Sequence, residues 1–175
     1  MPTIDFFEER NKQTTNKKEF GLCDDGNEKR AYIDEDLANK NIKWCGIVKN
    51  DNEKEILFYP IDNCVDLIKE DGKMASRCDG VLRYEDKKLV FTEIKDRKVN
   101  SDAWRDKGAE QIITTLEFFF ETYGRNAFNI EAWICNRQIT NQSYFGKIKS
   151  FAKKTKELFG FDNGIVLTIQ REKII

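Results

Sequence analysis

The chain has 175 residues, 39% apolar and 35% charged, and contains no histidine; this excludes Ser-His-Asp and Cys-His nucleophile pairs, histidine-ligated zinc hydrolases and imidazole pH switches. Any catalysis falls to carboxylates, lysine, cysteine, tyrosine or a metal held through oxygen. Thirty basic residues against 31 acidic ones leave a formal net charge of -1, which excludes a uniformly basic coat for nucleic acid but allows a local basic groove.

In chain order, Ile4-Asp5-Phe6-Phe7 predicts the start of a helix. Residues 11–18 (NKQTTNKK) predict a solvated linker or the frayed end of that helix, and 21–27 (GLCDDGN) a turn cluster. A short helix over 28–40 has Ala31, Leu37 and Ala38 as its apolar side, so residues 1–42 read as a polar, helical segment. Over 43–62, KWCGIVKN and EILFYPID flank the polar turn Asn50-Asp51-Asn52-Glu53 and predict a hairpin whose second strand ends at Pro60 or lies at an edge. Next come two strands, RCDGVLRY and KKLVFTEIKD, around the charged turn Glu85-Asp86-Lys87.

The strongest helical signal spans 101–123, with Ser101 or Asp102 as its cap and Trp104, Ile112, Leu116, Phe119 and Tyr123 on one face. Gly124-Arg125-Asn126 stops it. A strand at 128–135, a basic amphipathic helix over 143–159 and a strand in GIVLTIQ complete the order. The layout is α/β or α+β, with a mixed sheet and helices against it, in one domain over 1–175. No apolar run approaches the ~20 residues of a membrane span, and the first residues lack a leader pattern. The expectation is a soluble, cytoplasmic protein with no membrane contact. The five scattered cysteines read as reduced, buried thiols.

Candidate chemistry lies in residues 77–98. The pattern acid-x-Lys occurs five times, at 71–73, 85–87, 86–88, 93–95 and 96–98, so spacing alone means little. Context separates the fourth, because Glu93 and Lys95 end the apolar run Leu89-Val90-Phe91-Thr92, which predicts a buried central strand. Alternation puts Glu93 and Lys95 on one face and Ile94 on the other. Charges in a sheet interior need a partner or a function. A turn centred near Asp86 pairs position 79 with about 93, so Asp79, Glu93 and Lys95 converge in an oxygen-rich site suited to Mg²⁺ or Mn²⁺. Asp79-Gly80 also reads as a turn dipeptide, and Glu93 with Lys95 as a solvated edge pair.

Asp79 followed after fourteen positions by Glu93-Ile94-Lys95 resembles the PD-(D/E)xK nuclease superfamily. The resemblance covers about 75–136 and implies a restriction-endonuclease-like three-layer fold, a central mixed sheet flanked by helices. It also implies that Asp79, Glu93 and the Ile94 carbonyl hold the metal, that Lys95 positions or activates water, and that Gln111 faces the site from the following helix, although Lys107 and Gln111, four apart, read first as a polar helix flank. Cys78 stands where the family name has proline. An additional acidic ligand is sought among Glu8, Glu9, Glu35 and Asp62. The lysines at 147, 149, 153, 154 and 156 form either a solvated face or a phosphate contact, with Lys147, Lys149, Lys153 and Lys154 the candidate nucleic-acid residues. Tyr144 and Phe145 could stack on a base or pack the helix.

The expected function is Mg²⁺-dependent hydrolysis of phosphodiester bonds, in DNA ahead of RNA, by a homodimer or within a larger processing or defence assembly. The alternative is a catalytically inactive binding module on the same fold. A metal-free carboxylate glycosidase fits a sheet-borne Glu-x-Lys poorly.

Overall fold

Two sheets and two helices stack as three layers in the computed structural model, which describes residues 3–98, 100, 102–140 and 142–175. The chain runs β1 (Gln13–Thr15), β2 (Glu19–Cys23), β3 (Tyr32–Asp34), β4 (Gly46–Lys49), β5 (Ile56–Pro60), β6 (Gly80–Tyr84), β7 (Lys88–Lys95), α1 (Ala103–Tyr123), β8 (Asn129–Asn136), α2 (Phe145–Phe159), β9 (Val166–Ile169) and β10 (Glu172–Ile174). The larger sheet has the order β1-β5-β6-β7-β8-β9, antiparallel as far as β7 and parallel from there. The smaller sheet is β10-β4-β2-β3, with β10 parallel to β4.

The fold is therefore α+β with two mixed sheets. Helices cover one face of the larger sheet, where Leu89, Phe91, Ile112, Leu116, Phe119, Phe151 and Leu167 share a core. The other face carries the smaller sheet instead of helices. Phe20, Leu22 and Val48 meet Phe58, Leu82, Val90 and Trp133 there. Gly46 sets the spacing of these layers, because a Cβ on it would lie 2.7 Å from Cys135 Sγ and 2.9 Å from the Trp133 ring. β7 is buried from Leu89 to Ile94, as its apolar run requires of a central strand.

The N-terminal third departs from the helical expectation. Phe6 and Phe7 are anchored without a helix, Phe6 edge-on to Phe119 at 5.3 Å and Phe7 to Tyr59 at 5.1 Å. A 3₁₀ turn, Glu9–Asn11, follows. Part of the supposed linker is β1, an edge strand held by backbone pairing to β5, for which polar side chains suffice. The supposed helix at 28–40 is β3 plus a 3₁₀ turn at Leu37–Asn39 capped by Asp36. Its few apolar residues suit strand pairing with β2 better than a helical stripe.

The strands expected as a hairpin over 43–62 exist but do not pair; β4 belongs to the smaller sheet and β5 to the larger. Asn50 makes this corner possible. It is fully buried, its Nδ2 donates to the Lys17 and Lys54 carbonyls, and its Oδ1 accepts from Lys54 N–H. β5 does end at Pro60, beyond the stretch that β1 pairs, so no neighbour misses the N–H that proline lacks. β10 was not foreseen. Its Lys173 is buried and reaches Glu131 of β8 at 2.7 Å, tying the two sheets together. Of the expected caps of α1, Ser101 lies outside the described residues, and Asp102 makes no side-chain capping bond. Among the described residues no helix is long and apolar enough to cross a membrane. All five cysteines are free, four of them buried, and burial pushes the Cys45 thiol up to about 11.

Candidate active site

The turn between β6 and β7 has Glu85 and Asp86 both in the left-handed region, at φ 48° and 57°. This geometry suits a tight hairpin. It fixes the ladder from Tyr84↔Lys88 to Gly80↔Thr92, and one further step sets Asp79 opposite Glu93. Both point toward α1, while Ile94 points into the layer between the sheets. The Asp79 Oδ2 accepts the Ile94 backbone N–H at 2.6 Å, which locks the two strands at this end. Lys95 Nζ is paired with Glu93 Oε1 and lies 3.3 Å from Gln111 Oε1. Asp79, Glu93, Lys95 and Gln111, read from the sequence as one constellation, are thus in one place.

Helix α1 closes the site and holds its backbone. A Cβ on Gly108 would sit 3.2 Å from Glu93 Cγ and 3.3 Å from Ile134 Cδ1, so the missing side chain lets the helix press onto β7. One turn on, Gln111 Nε2 donates to the Arg77 carbonyl at 2.9 Å. Thr115, buried on the apolar face, accepts Cys78 N–H at 2.8 Å and donates to the Gln111 carbonyl. The backbone N–H at position 78, which a proline would lack, is thus used to tie the chain entering β6 to α1. Arg77 turns away from the pair, clamping Asp62 at 2.9–3.0 Å and the Val65 carbonyl.

Electrostatics mark the pair as unfavourable when ionised. Glu93 is 1% exposed and Asp79 7%. Burial, followed by the Asp79 charge, pushes the Glu93 carboxyl well above its usual range despite the opposing Lys95. Burial also pushes Asp79 up to about 7, the Asp24 and Asp62 charges adding to it while the Ile94 N–H and Lys95 pull the other way. Glu93 Oε2 is buried with no hydrogen-bond partner among the described residues. Two adjacent carboxylates with an orphaned oxygen, served by a single lysine, are an arrangement that a divalent cation would relieve. The donors present fit a hard, oxygen-seeking ion such as Mg²⁺ or Mn²⁺.

A three-carboxylate cage is not formed. Among the described residues no group of three or more Cys, Asp or Glu side chains is placed to hold a metal. Glu8 bonds Asn11 and Arg10, Glu9 bonds Lys12, Asp62 is taken by Arg77, and Glu35 is exposed. Asp24, in the turn cluster after β2, was not singled out in the sequence. Its proximity to Asp79 depends on the second sheet, which has no local signature. Thr115 was detectable as the polar residue inside an apolar helical stripe.

The lysines of α2 form a separate surface. Lys149, Lys153 and Lys154 are exposed, whereas Lys147 is half-buried and pairs with Asp106 in the first turn of α1. Tyr144 is buried against Trp104, so it packs the helix start, and Phe145 is exposed. No protein-family model, curated protein or solved structure matches this chain.

Proposed function

We propose that the protein is a metal-dependent nuclease that hydrolyses phosphodiester bonds, DNA ahead of RNA, at the Asp79–Glu93–Lys95 site. The observation that carries this reading is the buried carboxylate pair beside a lysine, with Glu93 Oε2 unpartnered among the described residues. Asp79 and Glu93 would hold Mg²⁺ or Mn²⁺, with the Ile94 carbonyl as the third oxygen that the resemblance implies. The ion supplies charge neutralisation on the phosphate and acidification of a water molecule.

The chain's own groups do the rest. Lys95 offers its ammonium to the phosphate oxygens and to the attacking water, whose oxygen bonds to phosphorus and gives up its proton to solvent as the bond to the leaving oxygen breaks and that oxygen takes a proton from solvent. Gln111, bonded to both Lys95 and the Arg77 carbonyl, holds the lysine in register with the strand that carries Asp79. Lys149, Lys153 and Lys154 provide an outer basic surface for the polymer.

The test is cleavage of single-stranded, double-stranded and branched DNA and of RNA, with Mg²⁺ and with EDTA. Activity that needs Mg²⁺ and disappears in Asp79→Asn and Lys95→Ala is expected; cleavage by either variant at the parent's rate refutes the assignment. A binding module without catalysis is the second reading, favoured by the absence of a third carboxylate and by the engagement of Lys95 with Glu93. It predicts nucleic-acid binding without cleavage under any metal.

A further inference from the structure

Beside Lys95 lies an open cleft of about 340 Å³ whose lining includes Lys95, Arg97, Lys98, Asn100, Trp104 and Lys107, with no acidic residue. The contrast with the groove between α1 and α2 is direct, since that groove sets Asp106 and Glu110 against Lys147 and Lys154. Among the described residues, Arg97, Lys98 and Lys107 form no ion pair; the nearby acids are occupied, Glu93 with Lys95, Asp96 with Arg137 and Asp106 with Lys147. Three uncompensated cations therefore share one concavity next to the carboxylate pair.

One wall of the cleft is held firmly. Asn136 is fully buried at the end of β8; its Oδ1 accepts Arg97 N–H at 3.1 Å and its Nδ2 donates to the Arg97 carbonyl at 2.8 Å. The chain leaving β7 is thereby fixed where its basic side chains begin. The other wall is the start of α1, where Trp104 and Lys107 stand one turn apart. Trp104 is 6% exposed and packs edge-on to Tyr144 at 5.8 Å. Trp104 also lines the cleft. Anionic oxygen is the group that would satisfy the three cations. The indole face is covered, so the cleft offers no platform for stacking a base; what it can read is phosphate.

We propose that the cleft formed by Arg97, Lys98, Trp104 and Lys107 seats a backbone phosphate of the nucleic acid neighbouring the phosphate at the carboxylate pair, and holds the strand without regard to its bases. This rests on the nuclease reading for the identity of the polymer. The contact itself requires neither metal nor turnover.

The experiment measures binding of labelled DNA, as a duplex and as a single strand of mixed sequence, in EDTA from about 50 to 200 mM salt. The K98A/K107A double variant is expected to bind roughly tenfold or more weakly. Its plot of log affinity against log salt should flatten by about 1.8 for duplex or about 1.4 for single strand, two phosphate contacts' worth. W104F, which keeps a ring against Tyr144, should bind with the parent's slope, and scrambled sequences should bind alike. Parent-like affinity and slope in K98A/K107A overturn the proposal, as does loss confined to a K153A/K154A variant, which would assign the contact to α2. Binding lost in K98A/K107A by a parent that cleaves nothing with Mg²⁺ upholds the cleft and rejects the nuclease reading. Cleavage that needs Asp79, with binding unaffected in K98A/K107A, does the reverse.

Discussion

Asp79 keeps its proton in the folded chain up to about pH 7, against an ordinary carboxyl value of 3.8, because burial penalises its charge. A raised acid pKa gives stability that is fully present below the unfolded value and is lost as pH rises through the folded one. At about 1.36 kcal/mol per pH unit, the span between those values is worth about 4 kcal/mol, all of it removed above pH 7. Asparagine at position 79 carries no charge and its side-chain oxygen can still accept the Ile94 N–H. Asp79→Asn should therefore stabilise the metal-free protein at pH 8 by about 2–4 kcal/mol, allowing for relaxation around the pair. For a chain of this length that is a rise in Tm of about 5–15 °C. Thermal unfolding in EDTA from pH 4 to 8 measures it; the advantage should shrink toward pH 4, where the parent carboxyl is protonated. Mg²⁺ should close the gap, stabilising the parent by about 2.7 kcal/mol at a hundred times its Kd and about 4.1 kcal/mol at a thousand times, and leaving Asp79→Asn unmoved. A variant no more stable than the parent at pH 8, or a gain independent of pH, refutes the reasoning.

Further consequences can be checked by similar means. Lys95→Ala should lose about a hundredfold or more in cleavage rate while retaining Mg²⁺-induced stabilisation, read by cleavage kinetics alongside melting. Thr115→Val leaves the buried Cys78 N–H without its acceptor and should cost about 1–3 kcal/mol in urea unfolding. Gly46→Ala forces a methyl against Cys135 and Trp133 and should cost about 1–3 kcal/mol, with no change in the affinity for nucleic acid.

The elements around the candidate site were legible because their signals are local. The three-residue turn Glu85-Asp86-Lys87 fixes which residues face each other, and period-two alternation fixes the faces, so Asp79, Glu93 and Lys95 follow from counting. The contact of Gln111 with Lys95 was expected from the resemblance, since by periodicity alone Gln111 reads as a polar flank of α1. What was not legible is pairing between distant segments. Residues 43–62 have a hairpin's pattern, yet Asn50 turns the chain from one layer to the other, a tertiary use of one side chain that no periodicity records. The short strands β1, β3 and β10 lean on backbone hydrogen bonds to neighbours far along the chain, so their polar sequences read as linker or weak helix. The basic cleft escaped notice for the same reason, since its cations come from the exit of β7 and the flank of α1, and only the absence of an acid between them makes it distinctive.

The hairpin and the helix reach the carboxylates by routes of different length. Asp79 and Glu93 are brought together by a turn of three residues, a closure that takes about 1–10 μs in an isolated hairpin, and at that stage water still screens their charges. Burial comes with α1, whose Gly108 rests on Glu93 and which forms the crossover between β7 and its parallel neighbour β8, a non-local step and so a slower one. The repulsion within the pair thus opposes docking of the helix rather than formation of the hairpin. Local opening of α1 at Gly108 is favoured by the same charges, so the pair works against its own cover.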